Sequence, residues 1–305
     1  MPMLDQTQHT NTGRELLAPS FLHQLNRCNI AATQLYPGSR MGARRSRSKG
    51  SGMEFANFRP YSAGDDFRAV DWMVYARTDH LYVKTFETEE NLYVYVLLDI
   101  SNSMDFGSPL SKLTLGKQLA GALGYMTLAQ QDNLSIHVLN DRLRDSISTG
   151  EKGLRPSEML NFCAQLQPGG KTDLVKSLQL FTVSASQRGM VFLISDFLSP
   201  GKFEDGLRYL VYHGFGVLGF HIIDPWEQNP KLEGEVDLED SETGVSLPLT
   251  VRRNTCSQMQ TCFRTHCQNT QRLFDTYAAR YFPVYTNQSV ERFVLEDLKR
   301  EGVIV

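Results

Sequence analysis

Four apolar runs punctuate the middle of the chain: LYVYVLL (92–98), LSIHVL (134–139), MVFLIS (190–195) and FGVLGFHII (215–223). They are apolar nearly throughout, so each reads as a strand covered on both faces. Between them, segments at about 112–130, 157–166, 174–187 and 203–213 repeat apolar residues at helical spacing. Strands alternating with helices predict an α/β fold, a doubly wound and mainly parallel sheet with helices on both faces. The helix at 112–130 carries Gly116, Gly121 and Gly124. Glycine costs a helix about 1 kcal/mol relative to alanine, so these positions predict close packing on the sheet. Further on, Val236 and Leu238 alternate with acids, DSETG turns the chain, and Val245, Leu247, Leu249 and Val251 follow. This is a β-hairpin insertion at about 232–251, and Pro248 predicts an edge position. A long helix at about 256–280, a strand in YFPVYT and a final helix at about 288–300 complete the pattern.

The first ninety residues are less regular. Phe21, Leu22, Leu25 and Ile30 predict a short amphipathic helix with Ser20 as its N-cap. The stretch SRMGARRSRSKGSG sets Arg40, Arg44, Arg45, Arg47 and Lys49 among serines and glycines, which reads as an exposed basic loop. Residues 53–90 are dense in Arg, Asp and aromatic side chains, with a turn at SAGDD and a strand in HLYVKTFE. Two parts follow: residues 1–90, with helix, basic loop and Arg/Asp-rich segment, and a sheet domain at 91–305.

Composition narrows the function classes. The 305 residues are 41% hydrophobic and 21% charged, with a net charge of −3. That is an ordinary globular balance, with no bulk field directed at nucleic acid or membrane. The basic loop lacks interleaved aromatics, so nucleic acid is not expected as a partner; peripheral contact with an anionic membrane surface is its remaining use. Five scattered cysteines, no secretory signal and no apolar stretch of bilayer length lead to an expected cytoplasmic location without a transmembrane segment. Cys256, Cys262, His266 and Cys267 invite a zinc reading, but Cys262 and Cys267 stand five apart and so on different faces of a helix. They read as core or surface thiols. There is no phosphate-binding G-x-x-x-x-G-K-[ST] loop, no G-x-S-x-G elbow and no triad order, so no enzyme is expected.

The chemistry concentrates where the first strong strand ends. LLDISNSM places Asp99, Ser101 and Ser103 in D-x-S-x-S spacing just past that strand. Asp196 follows the third run, and PGGKTDL offers Thr172 ahead of a helix. Ligands in open parallel sheets collect beyond the carboxyl ends of the strands. Two carboxylates and three hydroxyls are all hard oxygen donors, a set suited to Mg²⁺ or Mn²⁺.

In this order the five positions resemble the metal-ion-dependent adhesion site of von Willebrand factor A domains. The resemblance implies that Ser101, Ser103 and Thr172 are direct ligands, with Asp99 and Asp196 bound directly or through water. It also implies that an open position accepts a partner's carboxylate. The preceding segment resembles the signature of bacterial domain-of-unknown-function family 58, on Arg59, Tyr61, Gly64, Asp65, Arg68, Asp71, Trp72, Ala76 and Arg77. That resemblance implies a von Willebrand factor A-like fold and a MoxR-type AAA+ ATPase or other A-domain proteins as partners. The expected function is a metal-dependent adaptor or co-chaperone. Arg59, Asp65, Arg68, Asp71, Trp72 and Arg77 read either as a structural ion-pair network or as a docking surface. Two rival readings remain at this level: a Mg²⁺-dependent phosphoester hydrolase using Asp99, Asp105 and Asp196, and an anionic-surface binder using the basic loop.

Overall fold

The computed structural model describes residues 16–31, 54–87, 91–139, 145–150, 153–170, 173–198, 203–239, 245–251 and 253–305. The basic loop at 40–49 and Thr172 lie outside them. The chain forms two compact units, one of residues 1–31 with 93–305 and the other of residues 32–92.

The larger unit begins with helix α1 (Pro19–Leu25), which buries Phe21 and Leu25. Its N-cap is Ala18 rather than Ser20. Pro19 fixes the first helical position, where a missing N–H costs nothing, and so moves the start two residues earlier than expected. The smaller unit pairs β1 (Glu54–Pro60) antiparallel with β2 (Tyr82–Glu87), with α2 (Trp72–Thr78) between them. Asp71 caps α2 by accepting the Met73 and Val74 N–H groups at 2.9 and 3.2 Å.

The larger unit is built on a six-stranded sheet. In chain order come β3 (Tyr93–Asp99), helix α3 (Lys112–Ala129), β4 (Asn133–Leu139) and the short β5 (Ser146–Ser148). Helices α4 (Pro156–Gln165) and α5 (Leu174–Ser184) lead to β6 (Met190–Ser195), then α6 (Phe203–Tyr212) and β7 (Gly216–Ile223). After α7 (Pro225–Gln228), the hairpin β8 (Gly234–Glu239) and β9 (Ser246–Val251) stands as a two-stranded sheet of its own. Helix α8 (Arg253–Thr276) returns the chain to β10 (Arg280–Tyr285). Helix α9 (Val290–Arg292), capped by Ser289, continues as a π-helical stretch over Phe293–Leu298.

The sheet order is β10-β7-β6-β3-β4-β5. All neighbours are parallel except β5, which runs antiparallel at one edge. The expected doubly wound fold is therefore present. From β3 the chain moves outward to β4 and β5, then crosses back to β6 on the other side of β3. Strand order reverses between β3 and β6, the place where such sheets open a crevice at their carboxyl edge.

The apolar runs are explained by cover on both faces. Every residue of β6 and β7 is buried, as is β3 from Val94 onward. On one face Tyr95, Leu97, Val191 and Leu193 pack with Phe181 of α5, Leu207 of α6 and Phe274 of α8. On the other, α3 approaches so closely that a Cβ on Gly116 would lie 3.0 Å from Leu98. A Cβ on Gly121 would instead meet Leu160 of α4 at 3.1 Å. The α3 glycines thus admit a neighbouring helix as well as the sheet.

Candidate functional site

At the point of strand reversal, β3 ends in Asp99 and β6 in Ser195. The Asp99 carboxylate turns inward and is 2% exposed. Its Oδ1 accepts the Ser101 N–H at 2.9 Å, and its Oδ2 accepts the Ser195 hydroxyl at 2.6 Å. Ser195 Oγ also accepts the Phe197 N–H at 2.9 Å. Asp99 therefore ties the two strand ends together and folds the next residues into a tight turn. That turn brings Ser101 Oγ and Ser103 Oγ to 2.9 Å from each other. Ser103 also stands near the buried Asp196 and helps to lower its pKa. The described part of the third loop joins them: Gly169 N–H donates to the Ile100 carbonyl at 2.9 Å, and Asn102 N–H to the Gly170 carbonyl at 3.3 Å. Four of the five positions singled out by spacing are thus brought to one place; the fifth, Thr172, lies outside the described residues.

Sequence reasoning missed two residues of this site. Lys112, 1% exposed, sends its ammonium to Asp196 Oδ2 at 2.7 Å and to Glu227 Oε1 at 2.9 Å. Burial opposes the lysine's charge, but the two carboxylates outweigh it and hold its pKa above the ordinary lysine value. Burial likewise pushes Asp196 up, and Lys112 outweighs it, so Asp196 stays below the usual carboxylate range. Lysine normally reads as a surface residue. The available signal was its place as the first residue of α3, where a cation opposes the helix dipole and needs a local reason. Glu227 belongs to the D-x-x-E capping box of α7, and its Oε2 accepts the Asp224 N–H at 2.9 Å.

The residues fit a hard divalent cation. The two serine hydroxyls are hydrogen-bonded to each other at 2.9 Å, and with the two acids they make a set of hard oxygen donors of the kind such a cation takes. Asp99 holds that pair in place. Phe106 and Trp226 pack at 5.4 Å, 40% and 37% exposed, with the Lys112 ammonium 5.8 Å from the Phe106 ring centroid. Leu198, 42% exposed, donates its N–H to Asp196 Oδ1. The polar site thus has an exposed apolar rim.

A family of proteins of unknown function, DUF58, matches residues 57–269, more than half of the chain. The chain belongs to the DUF58 family. Uncharacterized proteins of Mycobacterium bovis and Mycobacterium tuberculosis are each 28% identical to this DUF58 protein over 231 residues, 74% of this chain and 73% of theirs. Among solved structures, a conserved hypothetical protein BatB from Bacteroides thetaiotaomicron is similar at 16% identity and a TM-score of 0.40, covering 69% of this chain and 98% of its own. An aerotolerance-related membrane protein from Bacteroides fragilis gives 17%, 0.45, 70% and 98% in the same terms. The SpRpn10 VWA domain gives 11%, 0.38, 70% and 95%. The fold assignment rests on the sheet order, not on these partial overlaps.

The DUF58 match begins in the smaller unit, where the Arg/Asp-rich segment is local architecture. Arg59 pairs bidentately with Asp65 at 2.6 Å through each nitrogen, and Asp65 also accepts the Ser62 N–H. Asp66 accepts the Arg68 N–H and opens a short 3-10 turn (Phe67–Ala69). Arg77 Nε donates to the Met73 carbonyl at 3.3 Å. Trp72 is 57% exposed. The described contacts of this segment are thus one Arg–Asp ion pair together with turn and cap bonds. On α8, Cys262 is exposed and Cys267 half-buried, its thiol pushed up to about 11 by burial. Among the described residues no three His, Cys, Asp or Glu side chains gather as a metal site, and no helix is long and apolar enough to cross a membrane.

Proposed function

We propose that this DUF58 protein is a divalent-cation-dependent protein-binding module. Ser101 and Ser103, with Thr172, hold Mg²⁺ or Mn²⁺, and the cation takes a carboxylate from a partner. The observation that carries this reading is the gathering of two hydrogen-bonded hydroxyls beside a buried acid, bordered by the exposed Phe106, Leu198 and Trp226. Exposed aromatics around a polar centre suit a protein interface, where such side chains concentrate binding energy. When bound, the cation supplies a Lewis-acidic centre. The chain's own part is to orient the two hydroxyls and to desolvate the partner's acid under the rim. Family resemblance supports a MoxR-type AAA+ ATPase as the partner and an adaptor or co-chaperone role. The hydrolase reading gains nothing from Asp105, which is exposed on the 3-10 turn Asn102–Asp105.

The test is capture of a purified MoxR-type ATPase from the same organism by the full chain, in Mg²⁺ and in chelator. Capture is expected in Mg²⁺, with a loss of tenfold or more in chelator and in Ser101→Ala/Ser103→Ala. Equal capture under both conditions overturns the cation dependence; no capture in either removes this partner class.

A further inference from the structure

The cation reading leaves Lys112 unexplained. A buried ammonium is costly to hold, and this one sits on Asp196, among the residues proposed to gather round a cation. It arrives from the first residue of α3 and is shared with Glu227 across 115 positions of sequence. Lys112 and Glu227 thus extend the charged groups of the site beyond Asp196.

Resting on the proposed cation site, we infer that Lys112 is a resident counter-cation that sets the site's charge, weakening divalent binding so that the loaded site does not repel a partner's carboxylate. Asp99, Asp196 and Glu227 contribute three negative charges and Lys112 one positive. Two negative charges remain, which one divalent cation neutralises. Without Lys112 the loaded site would keep a net negative charge and repel an incoming acid. Lys112 is therefore a positioning residue that acts through Asp196, and it divides affinity between metal and partner. Glu227 works in the opposite sense, because it draws the ammonium partly away from Asp196 and adds a negative charge.

Mn²⁺ titration of the full-length chain, followed by calorimetry and by electron paramagnetic resonance, tests this. Lys112→Met is expected to bind Mn²⁺ more tightly by on the order of tenfold, while its capture of the ATPase at saturating Mn²⁺ falls. Glu227→Gln is expected to bind Mn²⁺ more weakly by a similar factor. The double variant Lys112→Met/Glu227→Gln restores the wild-type net charge and is expected to bind within about threefold of wild type. A purely structural lysine would give no opposite shifts and no restoration. If Lys112→Met fails to fold, Glu227→Gln decides, because Mn²⁺ affinity unchanged in that variant overturns the inference. Wild-type Mn²⁺ binding that is lost in Ser101→Ala/Ser103→Ala but indifferent to Lys112 and Glu227 overturns the inference alone. Mn²⁺ binding that survives the double serine change, or is missing from every protein tested, overturns the cation reading beneath it.

Discussion

Asp99 is a structural side chain at the centre of the proposed cation site. Both of its oxygens are engaged inside the chain, by the Ser101 N–H and the Ser195 hydroxyl. Asp99→Ala is therefore expected to lose stability, by roughly 1–3 kcal/mol for the donors left without an acceptor, alongside any loss of binding. Urea unfolding of this variant against Ser101→Ala, which keeps the Ser101 N–H, separates the two effects. Asp99, Ser101, Ser103 and Asp196 were legible because strand ends are visible in the apolar pattern and oxygen donors just beyond them stand out. Lys112 and Glu227 were hidden because a buried lysine is recognised only through partners far away in sequence. Two histidines add a pH dependence. Burial, helped by His266, pushes His221 down to about 3, and burial pushes His137 down to about 4. Both folded pKa values lie below the unfolded value near 6.5, so the unfolded chain binds protons first as the solution is acidified. Stability present above that value should fall through the window from about 6.5 toward 3–4, by on the order of 1–2 kcal/mol per histidine between pH 7 and pH 5. Urea midpoints at the two pH values, with His221→Gln as the comparison, check it.

At the scale of elements, the sheet is held to α8 by shape as much as by area. A Cβ on Gly219 of β7 would lie 2.2 Å from the Phe274 ring. Gly219→Ala is expected to destabilise by about 1–3 kcal/mol through overpacking, and Phe274→Leu in the same chain should recover part of that. Thermal melts of the two single variants and the double form the cycle; equal losses with and without Phe274 would refute the contact. Strands buried on both faces were legible because nothing polar interrupts them. β5 was not, because three residues reading Ser-Ile-Ser at a sheet edge carry no apolar run. α2 was missed for a related reason: none of its residues is buried, so no hydrophobic face imposes a helical period on the sequence. A final helix was expected at about 288–300; its ladder widens over Phe293–Leu298, a change of hydrogen-bond register that side-chain spacing alone does not reveal.

At the scale of the molecule, the order of the sheet places the reversal point between the two acids that spacing had singled out, so topology and chemistry agree on one edge. The smaller unit is made of contacts between neighbours in sequence, β1 with β2 around α2. The larger unit closes on itself over a long span: Asn29 and Val305 exchange backbone hydrogen bonds at 2.8 Å in each direction, and Ile30 bridges Ile304. During synthesis at roughly 5–20 residues per second, the segment after α1 must wait on the order of 15–60 s for its pairing partner to be made. The smaller unit has all of its pairing in hand within the first part of that interval. The segment after α1 is thus among the last parts of the larger unit to be locked in.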